Sequence, residues 1–179
     1  MLLRDALPGF WAQEGLPAHG GNEGHIDWVR AFGVPLPIPN PPVRKAIIPM
    51  HDAHHIVTGY RTDTAGEAQV AAWALGAGGP GPLMGWVYDC LAFGVGLLQA
   101  PIRTTRAFYA GRGCQTVYAL GPKAVLNMDI DDLRAHTQVN VPHPRTPHDD
   151  LAFAKAIAIA LIMPLVALPL LGVAILRAY

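Results

Sequence analysis

The sequence predicts an all-α protein: a helical bundle containing a metal-binding helical hairpin, followed by a C-terminal transmembrane helix. Three observations carry this. Apolar residues recur at helical spacing, and alternating strand patterns are scarce. His51-Asp52-Ala53-His54-His55 is followed, after eleven residues, by Glu67. Ala156 to Leu176 is a run of 21 positions without a charged or strongly polar residue.

Residues 1–24 are glycine-rich and read as a loosely structured arm with one short helix near Phe10-Trp11. His25 to Phe32 reads as a helix stopped by Gly33. The proline-rich stretch from Val34 to Pro42 reads as an extended, polyproline-like strap. A helix from about Val43 runs through the histidines to Thr58, and Gly59 ends it. Asp63 or Thr64 caps the next helix, which continues to about Leu75. If Thr64 is the cap, Glu67 stands where a glutamate completes a capping box. Further helices are expected at Pro82–Leu98, Ile102–Ala110 and Ile130–His136, the last capped by Asp129. The α-helical metal-binding domain is thus placed at 25–140, a polar linker at 141–154, and a membrane anchor at 155–179. The anchor is long enough for a bilayer core, which takes about 20 apolar residues. Pro164 and Pro169 suit a membrane helix better than a soluble one. The domain is expected on the cytoplasmic side of that membrane, since Met1 to Asp5 does not begin a signal peptide.

Composition narrows the function classes. The chain is 51% hydrophobic and 15% charged, against about 25% charged in an average domain. Its formal net charge is zero and no basic patch dominates, so nucleic acid is not an expected partner. Cys90 and Cys114 have neither metal-ligand spacing nor a disulfide framework, and Cys90 is expected in the core.

The chemistry gathers at the histidines. Positions i and i+4 of a helix share a face, about 6 Å apart along the axis. His51 and His55 can therefore address one ion, and a tight hairpin returns Glu67 towards them. Asp52 is the fourth candidate ligand. His54 lies off that face and reads as a surface residue or as a support for the ligands. Two imidazoles with one or two carboxylates suit zinc first, with iron, manganese or magnesium as other divalent occupants. The zinc-protease motif H-E-x-x-H is not met, because Asp52 stands where the glutamate base belongs. An HD-type phosphohydrolase would use His25 and Asp89 or Asp129 and leave His55 and Glu67 without a role. Farther along, Arg103, Arg106 and Arg112 are candidates for meeting a carboxylate or phosphate head group. Trp86 opens an apolar helix able to line a tunnel for a hydrophobic substrate.

His51-Asp52-x-x-His55-x11-Glu67, with Thr58-Gly59-Tyr60, Thr62-Asp63 and Gly66 around it, resembles the signature of the coenzyme Q biosynthesis protein 4 family. The similarity covers roughly residues 25–140 and is strongest over 47–75. Gly111-Arg112 and Leu126–Arg134 add to it. The resemblance implies an all-α, membrane-associated protein with a metal, usually zinc, on His51, Asp52, His55 and Glu67. It implies a part in ubiquinone biosynthesis: oxidative decarboxylation at ring C1 of a prenylated benzoate precursor, or a metal- and lipid-binding scaffold for the other quinone biosynthesis proteins. The implied partners are the prenylated precursor or an isoprenoid lipid, those proteins, and the membrane.

Overall fold

The computed structural model describes residues 1–21, 23–31 and 34–178, and at 29–31, 36, 164, 167, 168 and 170–178 the backbone alone. Its elements are α1 (Leu3–Gln13), β1 (Ile26–Ala31), β2 (Val34–Pro39), α2 (Pro42–Thr58), α3 (Thr64–Gly76), α4 (Leu83–Gln99), α5 (Pro101–Gly111), α6 (Pro122–Leu126), α7 (Ile130–Thr137) and α8 (Pro147–Ala178), with a short 3-10 turn at Tyr118–Leu120. The expected helical architecture is present.

α3 is the central helix. Ala68, Val70, Ala71, Ala72, Trp73, Ala74 and Leu75 are all buried, so from Val70 onward it is apolar on every side, as an enclosed helix must be. α4 and α5 flank it, and α8 lies against α4. Glycines set the α3–α5 crossing. A Cβ on Gly76 would stand 2.1 Å from the Phe108 carbonyl oxygen, and one on Gly111 2.1 Å from that of Trp73. The apolar interior falls into two main clusters. One joins Leu3 and Leu7 of α1 to Ile47, Met50, Ala53 and Val57 of α2, with Val125 and Leu133. The other joins Ala71, Ala72 and Leu75 of α3 to Phe93, Phe108, Ala156 and Ala160. Burial of Phe93 and of Phe108 stabilises the fold by about 2–3 kcal/mol each.

Several expectations are revised. The helix expected over 25–32 and the polyproline strap after it are the two strands of one antiparallel hairpin, with Trp28 opposite Pro37 and Ile26 opposite Pro39. Pro35, Pro37 and Pro39 recur with period two. In this register they take the alternate positions that need no N–H, while the Asn40 N–H donates to the His25 carbonyl (2.8 Å). Phe32 and Gly33 lie outside the described residues. The short helix expected near Phe10-Trp11 is an eleven-residue helix whose Leu3 and Leu7 enter the core. Within the polar stretch 141–154, Asp149 is buried and ties the start of α8 to α5.

The C-terminal transmembrane helix is corrected too. Among the described residues, no helix is long and apolar enough to cross a membrane. Localisation through a single C-terminal membrane helix is withdrawn with it. The reason is visible in the first half of α8. Its opening turn carries Asp149 and Asp150, and Lys155 follows. Ala156 and Ala160, one turn apart, are buried against the α3–α4–α5 core, with Ala152, Phe153, Ile157 and Met163 packed beside them. A large part of the expected span, at 164, 167, 168 and 170–176, has side chains outside the described residues.

Candidate metal centre

The centre sits where α2 meets α3, and local sequence puts it there. Gly59, at φ +73°, closes α2 in the left-handed conformation that suits glycine, and its N–H donates to the His55 carbonyl (2.8 Å). Asp63 caps α3 by accepting from the Gly66 N–H (2.9 Å). With Asp63 as the cap, Glu67 is one position past the capping-box site, and its carboxylate is free to face α2. Gly66 is required by close approach: a Cβ there would lie 1.9 Å from the Arg61 carbonyl oxygen.

The side chains converge. His51 Nε2 is 3.1 Å from His55 Nε2 and 3.1 Å from Glu67 Oε2. His55 Nε2 is 3.4 Å from Glu67 Oε1. Zinc bonds of about 2.05 Å in a tetrahedron place neighbouring ligand atoms roughly 3.3 Å apart, so these spacings are those of donors around one small cation. Among the described residues, His51, His55 and Glu67 form the group able to hold a metal ion, with ligand atoms within 4.8 Å of one another. The His55 ring is held for this. Its Nδ1–H donates to the Tyr60 carbonyl (2.9 Å), which leaves the Nε2 lone pair for an ion. Phe10 of α1 lies beside the same ring, with centroids 6.0 Å apart. His55 is buried, while the side chains of His51 and Glu67 remain 25% and 40% exposed. One side of the centre is therefore open.

Charge at the centre is strongly coupled. Burial pushes the His51 imidazole down, but the hydrogen bond and charge of Glu67, aided by Asp89 and Asp52, hold it up at about 9. Burial pushes Glu67 up, yet the charge of His55 and the hydrogen bonds from both histidines keep it well below the usual carboxylate range. Metal-free, this is a histidine–carboxylate ion pair, and an incoming cation replaces its proton.

Asp52 does not join the three. It is buried, and Trp11 Nε1–H donates to its Oδ2 (2.8 Å), so its carboxylate locks α1 onto α2. His54 is a core residue. It is fully buried between Trp73 and Tyr118, with ring centroids 5.2 and 4.9 Å away, and its Nε2 accepts from the Val117 N–H (3.1 Å). Burial, with the nearby His51 and His55, holds it well below the ordinary histidine value.

The other candidates scatter. Arg112 donates through Nε to Asp149 Oδ1 (2.8 Å) and through Nη1 to the Gly76 carbonyl (2.8 Å), which engages it in joining α3, α5 and α8. Arg103 and Arg106 border a hollow of about 480 Å³ with Tyr60, Arg61, Asp63 and Gln69. A second hollow of about 460 Å³, bordered by Phe10, Gln13, Glu14 and Tyr60, reaches His55 itself. The Tyr60-Arg61 turn separates the two. Trp86 packs over Gly79, where a Cβ would meet its ring at 2.1 Å.

Asp89, which the sequence offers only under the HD-type reading, also bears on the centre. Asp89 is buried and acts electrostatically on His51. Burial raises its carboxyl to about 7, with His51 opposing and Glu67 adding to the rise. The signal in the sequence is that Asp89 is the sole charge of α4.

No family model, curated protein or solved structure matches the chain. The functional reading therefore stands on this geometry and on the likeness of the motif.

Proposed function

We propose that this chain is a divalent-metal protein of ubiquinone biosynthesis that supports oxidative decarboxylation at ring C1 of a prenylated hydroxybenzoate. The observation that carries the metal part is the convergence of His51 Nε2, His55 Nε2 and Glu67 at 3.1–3.4 Å. The substrate and reaction rest on the likeness of His51-Asp52-x-x-His55-x11-Glu67 to the coenzyme Q biosynthesis protein 4 signature. Three protein donors and an open side favour a reactive site over a closed structural one, which takes four. Zinc is the first candidate on ligand chemistry.

The bound ion would supply Lewis acidity and orient the ring carboxylate. The chain's own groups do the rest. Tyr60 and Phe10 fix the His55 ring, and the part-exposed His51 and Glu67 side chains leave the side from which an aromatic acid would approach the ion. In the overall change the C1–carboxyl bond breaks and a C1–oxygen bond forms with one atom of dioxygen. The other oxygen atom leaves as water, with two electrons and two protons from a separate reductant: ArCOOH + O2 + 2e− + 2H+ gives ArOH + CO2 + H2O.

The test is metal content and turnover of a prenylated hydroxybenzoate, measured in one preparation with dioxygen and a chemical reductant present. About one metal per chain, with carbon dioxide release lost on chelation and restored by metal, is the expected result. Stoichiometric metal without turnover would leave a metal-stabilised scaffold and overturn the decarboxylase reading. No metal would overturn both.

A further inference from the structure

α4 packs on α3 and touches α2, the two helices that carry the metal centre, and it holds one charge in an otherwise uncharged helix. That charge, Asp89, is 4% exposed, and its Oδ2 is buried with no hydrogen-bond partner among the described residues. A carboxylate in the interior is destabilising unless a cation or donors face it. Two buried aspartates border the centre, and they differ in this respect. Asp52 has the Trp11 indole N–H. Asp89 has no such donor among the described residues, and the charged groups that act on it are His51 and Glu67, the two part-exposed members of the ligand triad. A leucine or asparagine would pack this position at lower cost, so the carboxylate answers to a partner that the described residues do not supply.

We propose that Asp89 is the fourth protein group of the cation site, its carboxylate offsetting the charge of a divalent ion held by His51, His55 and Glu67. The site is thereby built from three helices, α2, α3 and α4, and not from the hairpin alone. Asp89 stands outside the tight triad, so it acts through charge and orientation and is not one of the closest donors. This inference rests on the metal reading above.

The experiment is zinc binding to the full chain by chelator competition, with far-UV circular dichroism and metal-free melting as fold controls. It compares wild type with Asp89→Asn, which keeps shape and removes charge, and with Asp89→Leu, which removes both charge and polarity. Asp89→Asn should raise the zinc Kd about 10- to 100-fold, the usual effect of losing a supporting group around a metal. Asp89→Leu should do at least as much. The metal-free variants should melt no lower than wild type, because an unpartnered buried carboxylate has been removed. Cobalt substitution gives a second readout: the visible band of the bound ion should shift in Asp89→Asn. A zinc Kd within threefold of wild type in a folded variant overturns the inference while leaving the triad in place. A metal-free melting temperature well below wild type in both variants also overturns it, by showing that Asp89 is held by the protein itself. If wild type binds no zinc, the metal reading falls, and that outcome is distinct from the other two.

Discussion

His51→Asn isolates the metal site from the fold. His51 is partly exposed, and its ring meets the protein through Glu67 and His55. Its loss removes the ion pair with Glu67 and should cost the metal-free protein about 1–3 kcal/mol at neutral pH, a cost that is the same with and without metal. His55 is a poorer choice, because it is buried, holds the Tyr60 carbonyl and packs on Phe10. Its removal would mix cavity and ligand effects. Losing one of three ligands should weaken binding by about 100-fold, worth about 2.7 kcal/mol. At metal 100 times the wild-type Kd, wild type gains RT ln 101, about 2.7 kcal/mol, whereas the variant sits at its own Kd and gains about 0.4 kcal/mol. For a chain of this size each kcal/mol moves Tm by about 2–4 °C. Differential scanning calorimetry should thus show metal raising wild-type Tm by about 5–11 °C and the variant by about 1–2 °C. Equal rises would refute the reasoning, because the ion would then be bound elsewhere.

Other consequences can be checked on the same material. The raised His51 value stabilises the metal-free fold below its unfolded value of about 6.5, and this is lost as pH rises through about 9. Wild-type Tm should therefore fall more steeply than that of His51→Asn between those limits, and parallel profiles would refute the ion pair. Asp149→Ala strands Arg112 and removes the acceptor for the Thr146 N–H and hydroxyl. It should cost about 2–4 kcal/mol and lower Tm by about 5–15 °C; a change under 2 °C would show that α8 does not depend on this contact. The Arg112 hydrogen bond beside Asp149 depresses its carboxyl, so its contribution is present above the usual carboxylate range and fades as pH falls below it. A pH titration of the wild-type-minus-variant difference reads this directly. Gly66→Ala drives a Cβ into the Arg61 carbonyl and should cost about 1–3 kcal/mol in urea denaturation. It should also weaken metal binding by displacing Glu67; unchanged values on both counts would show that the Arg61 turn yields.

What was readable in the chain was what local physics decides. The i, i+4 spacing of His51 and His55, the Gly59 stop and the aspartate cap before Glu67 all act within a few residues, and each is realised. The β-hairpin escaped because the prolines of 34–39 favour extended backbone in any case, and only pairing with 26–31 makes it a strand. The same holds at the C-terminus, where apolarity alone could not say whether Ala156 and Ala160 face lipid or protein. The ligand set shows the division most clearly. Asp52 and Glu67 are equally plausible carboxylates on paper, yet the Trp11 indole claims one and the α2–α3 packing delivers the other. Asp89 comes from a third helix, and spacing along the chain carries no information about which side of α4 meets α2. By itself the sequence determined α2 and α3, the stop and cap between them and the paired histidines, since those depend on near neighbours and backbone stereochemistry. The tertiary structure alone decided which carboxylates reach the centre and where α8 packs, since those depend on burial and on partners distant in the chain.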